Sequence, residues 1–313
     1  MRLTVFTPTF NRKATLGRVY DSLCRQTFDF GQFEWLVVDD GSTDGSRDLV
    51  TEWQTKAPFA IRYIWQENVG KHRAWNRAMP EAHADLVLPL DSDDACVPHA
   101  LGRLVEIWDA VPADERRNLA GIIARCQDAE GRPYGEPMPP VSRSDYAELA
   151  FVYDWRWEAW TLARRDILCR YPFAPGPERL YVPEGHIWHR ISRDYRWILA
   201  NECLRIYFTG QGHGRADQIS QPKPLKQQAP GMVLALESML GSSFRYFRTR
   251  PGEFTRSAVH YGRFSLHAKM SVPRQISRLE PLGAKLLCIA GLPLACTMYA
   301  LDVARERPSA PQA

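Results

Sequence analysis

The chain has 313 residues, is 45% apolar and 24% charged, and carries a formal net charge of +4. That balance is ordinary for a folded soluble protein and argues against a disordered or fibrous chain; the length allows one large domain or two smaller ones. The charge is uneven, with nine Lys/Arg against two Glu in residues 245–285, and no zinc-finger spacing or recognition-helix signature accompanies them. An anionic membrane surface is therefore the expected partner of this segment, and nucleic acid is not.

The first 125 residues alternate strand and helix patterns. Strands are expected over Leu3–Thr7, Phe33–Val38, Ile61–Trp65, Asp85–Leu90 and Leu119–Ala124. Between them lie helices over Ala14–Arg25, Ser46–Trp53, His72–Met79 and Pro98–Trp108. Asn11 and Asp44 are placed to cap the first two helices, and Pro98 suits a first helical turn. Trp65 and Trp75 read as core. Such alternation predicts an α/β fold, a mostly parallel sheet with helices on both faces. A Gly/Pro-rich loop at 130–141 breaks the pattern, and five tryptophans crowd residues 155–197. A helix is expected to open at Pro183-Glu184 and run to Ser192. Residues 210–230 read as loop or mobile lid, and from Met232 onward the patterns are helical.

Seven cysteines without CxxC spacing fit reduced thiols in a cytoplasmic protein. The chain opens directly on a strand pattern, which leaves no room for a signal peptide. The apolar run Leu286–Leu301, 16 residues interrupted by Gly291 and Pro293, falls short of the roughly 20 that span a bilayer. A helix lying in the interface, or a core helix, is expected there.

Two acidic clusters each end an apolar run: Asp39-Asp40 after Phe33–Val38, and Asp91-Ser92-Asp93-Asp94 after Leu86–Leu90. Ligands bind at the carboxyl ends of the strands in an open parallel sheet. Crowded carboxylates repel unless a cation joins them, so a divalent metal carrying an anionic substrate is the expected partner.

Four stretches stand in order at strand ends: Thr7-Pro8-Thr9-Phe10-Asn11-Arg12, Val38-Asp39-Asp40-Gly41-Ser42-Thr43-Asp44, Asn68-Val69-Gly70-Lys71-His72-Arg73-Ala74-Trp75-Asn76, and Asp91-Ser92-Asp93-Asp94. Together they resemble the family 2 glycosyltransferases of the GT-A fold, inverting enzymes that use nucleotide sugars. Residues 155–200 look more loosely like a bacterial, polysaccharide-type branch of that family, through Glu158-Ala159-Trp160, Arg164 to Leu168, and Tyr181 to Ile191. The resemblance implies a GT-A (Rossmann-like), mostly parallel central sheet flanked by helices, with a helical C-terminal extension. It divides the chain into a nucleotide-sugar-binding half (1–125), an acceptor-binding half (126–228) and a helical region (229–313) that could touch a membrane.

By that resemblance Asp91 and Asp93 hold Mg²⁺ or Mn²⁺, with Asp91 and Ser92 also on the donor. Thr7, Pro8, Thr9, Asn11, Asp39 and Asp40 border the base and ribose, while Asn68 and Lys71 lie near the diphosphate and sugar. Glu184 is the expected general base, taking the proton of an acceptor hydroxyl. Here Gly185 follows it, where the family commonly has Glu-Asp. Trp160 and Trp188 are candidates to stack an acceptor sugar or to be core. His213 and Arg215 are candidates for the metal shell or the diphosphate.

The expected activity is transfer from a nucleotide sugar, a UDP-sugar in the first instance, to a saccharide or lipid-linked acceptor in surface polysaccharide synthesis. The protein would be cytoplasmic, with peripheral contact to the inner face of the membrane. The alternative is a nucleotide-sugar-binding protein without transfer. A phosphohydrolase with an aspartyl nucleophile wants its acidic pair on the first strand, which here ends in Thr7-Pro8-Thr9.

Overall fold

The computed structural model describes residues 1–174, 181–208 and 224–306. The chain divides into two compact units, Met1–Phe173 with Asp194–Gln221, and Ala174–Arg193 with Pro222–Ala313. The boundaries expected at 125 and 228 fall inside regular elements, the first in a strand and the second in a helix.

The first unit follows the alternation expected: β1 (Leu3–Thr9), α1 (Lys13–Cys24), β2 (Phe33–Asp39), α2 (Ser46–Lys56), β3 (Ala60–Trp65), α3 (Lys71–Glu81) and β4 (Leu86–Pro89). Next come β5 (Ala95–Cys96), α4 (Ala100–Asp109), α5 (Ala113–Arg116), β6 (Leu119–Gln127), β7 (Arg143–Ser144), α6 (Tyr146–Phe151), β8 (Ala159–Arg164) and α7 (Arg165–Arg170). β9 (Arg196–Ile206) completes the sheet, whose strand order is β3-β2-β1-β4-β8-β6-β9-β5, with β7 on β9. β1 to β4 run parallel, β8 runs against both its neighbours, and β6 and β9 run parallel. The longer strands other than β8 thus share one direction, and the expected α/β architecture stands.

Every residue of β1 and β2 is buried, as strands covered on both faces must be. Leu16, Val19 and Leu23, one face of α1, share a core cluster with Leu3, Val5, Trp35 and Val37. Each such side chain contributes about 1.5–3 kcal/mol by leaving water. Register then sets the functional edge: Thr9 lies opposite Asp39, and Phe6 opposite Pro89. The carboxyl ends of β1, β2 and β4 therefore finish side by side. Gly121 lets β6 approach β8, since a Cβ there would sit 1.9 Å from the Leu162 carbonyl oxygen at φ +155.

Three local expectations change. Asn11 does not cap α1; it takes a left-handed conformation (φ 51) and Arg12 occupies the cap position. α4 opens at Ala100 behind His99, so Pro98 precedes the helix. Trp75 is buried at 1% exposure, but Trp65, on the edge strand β3, is 50% exposed and is not core.

The second unit is helical: α8 (Gly185–Ile191), α9 (Leu225–Ser242), α10 (Pro251–His267), α11 (Val272–Arg278) and α12 (Leu282–Glu306). α10 packs against both α9 and α12, burying Phe254, Ala258 and Tyr261. The expected apolar run of 16 residues is part of a helix of 25. By length and composition Leu282–Arg305 is long enough to cross a bilayer, and only 17% of its most apolar stretch is buried. Gly291 does not break it, because it faces Val259, where a Cβ would come within 3.1 Å of Cγ2.

Candidate donor-binding site

The sheet edge at the ends of β1, β2 and β4 gathers most of the polar residues singled out in the sequence. Asp91 follows β4, and its Oδ1 lies 2.8 Å from Nζ of Lys71, the first residue of α3. Burial works against the Asp91 charge, yet Lys71, Arg205 and Arg12 hold its carboxyl below the usual range. Asp93 moves the other way, raised by burial and by the adjacent Asp91 charge. Ser92 is buried, and its carbonyl accepts from Thr15 Oγ1 at 2.9 Å, while the Asp93 carbonyl accepts from Arg18 at 3.1 Å. The acidic turn is thereby pinned to α1.

Asp39 and Asp40 are buried, and each carboxylate accepts from protein donors. Asp39 accepts from Ser42 N at 2.7 Å and from the Tyr63 hydroxyl at 2.5 Å. Burial and Asp39 together push the Tyr63 phenol well above its usual value. Asp40 accepts from Gln66 Nε2 at 2.7 Å, Val69 N at 3.0 Å and Gly70 N at 2.7 Å. Both carboxylates thus fix the loops that follow β2 and precede α3. Gly41 sits where these loops meet: at φ +88, a Cβ there would lie 2.8 Å from Asn68 N.

Asn11 closes the other side, its Oδ1 accepting from Thr43 N and its N–H donating to Ser42 Oγ, each at 2.8 Å. Asp44 accepts from Ser46 N at the head of α2 and from Lys13 N at the head of α1, so one carboxylate serves two helix starts. Thr7 accepts from the Trp35 indole at 2.9 Å, and Pro8 is buried within β1. Thr9 is 3% exposed, and its hydroxyl has no protein partner among the described residues.

Behind the acidic turn stands a buried ion cluster that sequence reasoning missed. Arg205 on β9 places Nε 2.9 Å from Asp94 Oδ2 and Nη2 2.9 Å from Glu158 Oε1. Asp94 also accepts from Phe208 N at 3.2 Å. Burial pushes the Asp94 carboxyl up to about 7, against the pull of Arg205. The available signal was a lone arginine inside the strand run Cys203-Leu204-Arg205-Ile206, which a buried sheet accepts only with an acidic partner. Tyr63 and Gln66 carried no such signal.

Trp160 is core, at 2% exposure with its indole N–H on the Pro89 carbonyl at 2.6 Å, so it presents no stacking face. Trp188, in α8 of the second unit, is buried at 6%. Glu184, also in the second unit, is half-buried and holds the cap position of α8, its carbonyl accepting from Ile187 N and Trp188 N. His213 and Arg215 lie outside the described residues.

Asp91 and Asp93 are the residues that could hold a metal. Among the described residues no three His, Cys, Asp or Glu side chains gather as a closed cage. Two carboxylates nonetheless suit Mg²⁺ or Mn²⁺, which keep waters and take remaining oxygens from substrate phosphates. Burial, then the adjacent Asp91 charge, raises the Asp93 carboxyl, and a cation there would offset both. The donor set fits.

Residues 4–132 match the model of Glycosyl transferase family 2. This segment belongs to that family. The domain's relatives include a Campylobacter jejuni protein named GalNAc(5)-diNAcBac-PP-undecaprenol beta-1,3-glucosyltransferase, 33% identical over 217 residues, covering 66% of this chain and 64% of that one. Other curated relatives are matched over less of their length: the first two over 33% and 39% of theirs. Among solved structures, Staphylococcus aureus TarS 1-349 in complex with UDP-GlcNAc superposes with a TM-score of 0.63 at 18% identity, over 96% of this chain and 92% of that one. A Pyrobaculum calidifontis mannosyltransferase in complex with GDP-Man and Mn²⁺ gives 0.56 at 18% identity, over 96% and 84%. At these identities the likeness shows the fold, which is GT-A.

Proposed function

We propose that this chain transfers a sugar, with inversion, from a nucleoside diphosphate sugar to a saccharide or lipid-linked acceptor in surface polysaccharide synthesis, working in the cytoplasm at the inner membrane face. The observation that carries this reading is the meeting of Asp91, Asp93 and Lys71 at one sheet edge. A UDP-sugar is the first donor to test, on the strength of the family resemblance and the UDP-GlcNAc held by TarS. The undecaprenol-linked substrate in the Campylobacter relative's name supports a lipid-linked acceptor.

In this reading Asp91 and Asp93 hold Mg²⁺ or Mn²⁺, which when bound offsets the charge growing on the departing diphosphate. Lys71 and the N-terminus of α3 draw the same anion toward the edge. Asp39 and Asp40 keep the loops around Gly41 and Asn68 rigid, so that Thr7, Pro8, Thr9, Asn11 and those loops border base and ribose. Glu184 takes the proton of the attacking hydroxyl; its support is the family resemblance and its place, half-buried, at the head of α8.

The test is a thermal-shift panel of UDP-, GDP- and dTDP-sugars with and without Mn²⁺. A metal-dependent rise with one nucleotide is the expected result, and no rise with any of them overturns the proposal. Glu184→Gln then separates an enzyme from a binding protein: transfer should disappear while nucleotide binding stays.

A further inference from the structure

The outward side of α12 is a surface that the donor chemistry at the sheet edge does not use. Ala284, Cys288, Ala295 and Asp302 turn into the second unit and are buried. Leu282, Leu286, Ile289, Leu294 and Leu301 are 49–70% exposed. At 100° per residue these five fall on one side of the helix. No Asp, Glu, Lys or Arg occurs from Leu286 to Leu301, so the stripe is uninterrupted by charge over about 24 Å at 1.5 Å per residue. Contiguous apolar surface of this kind marks a contact site.

Two observations decide what covers it. First, α12 is fastened sideways to α10. A Cβ on Gly262 would lie 2.9 Å from the Ala295 Cβ, so the backbones are already as close as they can be. Asp302 is buried and takes two bonds of 2.6 Å from Arg263 and one of 3.0 Å with His267. Threading α12 through a bilayer would break these contacts or drag the charges into hydrocarbon, which is costly. The partner must therefore meet the helix from the side.

Second, the unit is cationic. Its described side chains include thirteen Lys/Arg against five Asp/Glu. Arg248, Arg256, Lys269 and Arg274 are exposed, and Lys285 and Arg305 stand near the two ends of α12. A second copy would bring the same positive charge and be repelled. An anionic lipid surface answers both the apolar stripe and the charge.

We propose that α12 lies in the plane of an anionic bilayer surface, with Leu282, Leu286, Ile289, Leu294 and Leu301 inserted among the acyl chains and the surrounding cations on the headgroups. The inference deepens the inner-membrane placement in the proposed function, and because its test needs neither donor nor acceptor it can fail while sugar transfer stands.

The experiment is co-flotation of the purified full chain with vesicles of phosphatidylcholine alone or with phosphatidylglycerol, at physiological salt. Binding at least tenfold stronger to the anionic vesicles is expected. Leu286→Glu combined with Leu294→Glu should reduce it at least tenfold while the far-ultraviolet spectrum and melting temperature stay unchanged, because both side chains are exposed. Alkaline carbonate should release the bound protein. Three results overturn the proposal: no flotation with anionic vesicles, retention through carbonate (a spanning helix), or a stable dimer in light scattering that the double variant dissociates. If the double variant loses its fold, Leu286→Gln with Leu294→Gln is read instead, with the same outcomes.

Discussion

Lys71 and Asp91 meet with 2.8 Å between Nζ and Oδ1, and that contact joins the first turn of α3 to the carboxyl end of β4. Two consecutive elements thereby present a cation and an acid at one edge. The two side chains are 26% and 36% exposed, so solvent screens the pair and its contribution to folding is small, within about 0–1 kcal/mol. Its consequence lies in the charge state of Asp91.

Lys71→Met removes the principal attraction that holds the Asp91 carboxyl low. Nucleotide-sugar affinity is expected to fall roughly tenfold, equivalent to about 1.4 kcal/mol, with the denaturation midpoint almost unchanged. Titration calorimetry of the nucleotide against both proteins checks this. A large loss of stability with unchanged affinity would make Lys71 structural only.

Arg205 is the opposite case, because it is 6% exposed and shared between Asp94 and Glu158. Arg205→Met leaves Asp94 without its counter-charge in a dry site. The expected cost is about 3–5 kcal/mol, the range for breaking a buried pair on one side. Urea unfolding at neutral pH measures it. A cost below about 1 kcal/mol would mean that Asp94 sheds its charge freely.

Gly41→Ala tests the loops that Asp39 and Asp40 fasten. The substitution meets both a left-handed backbone and the Asn68 amide nitrogen at 2.8 Å, so the 66–70 loop must shift. Nucleotide binding should weaken at least tenfold, whereas the sheet behind it keeps its packing. Calorimetry beside a circular dichroism spectrum separates the two effects.

Much of this was legible in the residues because the signals were local. Val-rich and Leu-rich runs ending in acids fixed β2, β4 and the sheet edge, and alternation fixed their parallel course. Boundaries moved by a residue or two where caps differed, as at Asn11, whose side chain reaches Thr43 rather than the helix it precedes. Long-range pairings were not legible. Arg205 and Asp94 lie 111 positions apart, and only the fold shows that each answers the other. Trp160 was ambiguous for a related reason: an indole serves core or ligand equally well until a neighbour claims its N–H, here the Pro89 carbonyl. The length of α12 was underread because Gly291 and Pro293 look like breakers. In the structure one faces Val259 and the other is exposed, so neither ends the helix.

Asp302 gives the second unit a pH dependence of definite sign. Hydrogen bonds from Arg263, then from His267, hold its carboxyl below the usual value, with burial opposing. A carboxylate whose folded value lies below its unfolded value of about 3.9 binds fewer protons when folded. Its stabilisation is therefore complete above about pH 5 and is lost as pH falls through the folded value. Asp302→Asn should remove about 3 kcal/mol at pH 7 by leaving Arg263 poorly paired. The same substitution should flatten the loss of stability between pH 5 and pH 3 relative to the parent. Urea unfolding of both proteins at pH 7, 5 and 3 reads the difference. Parallel curves would show that the Arg263–Asp302 contact carries no proton linkage.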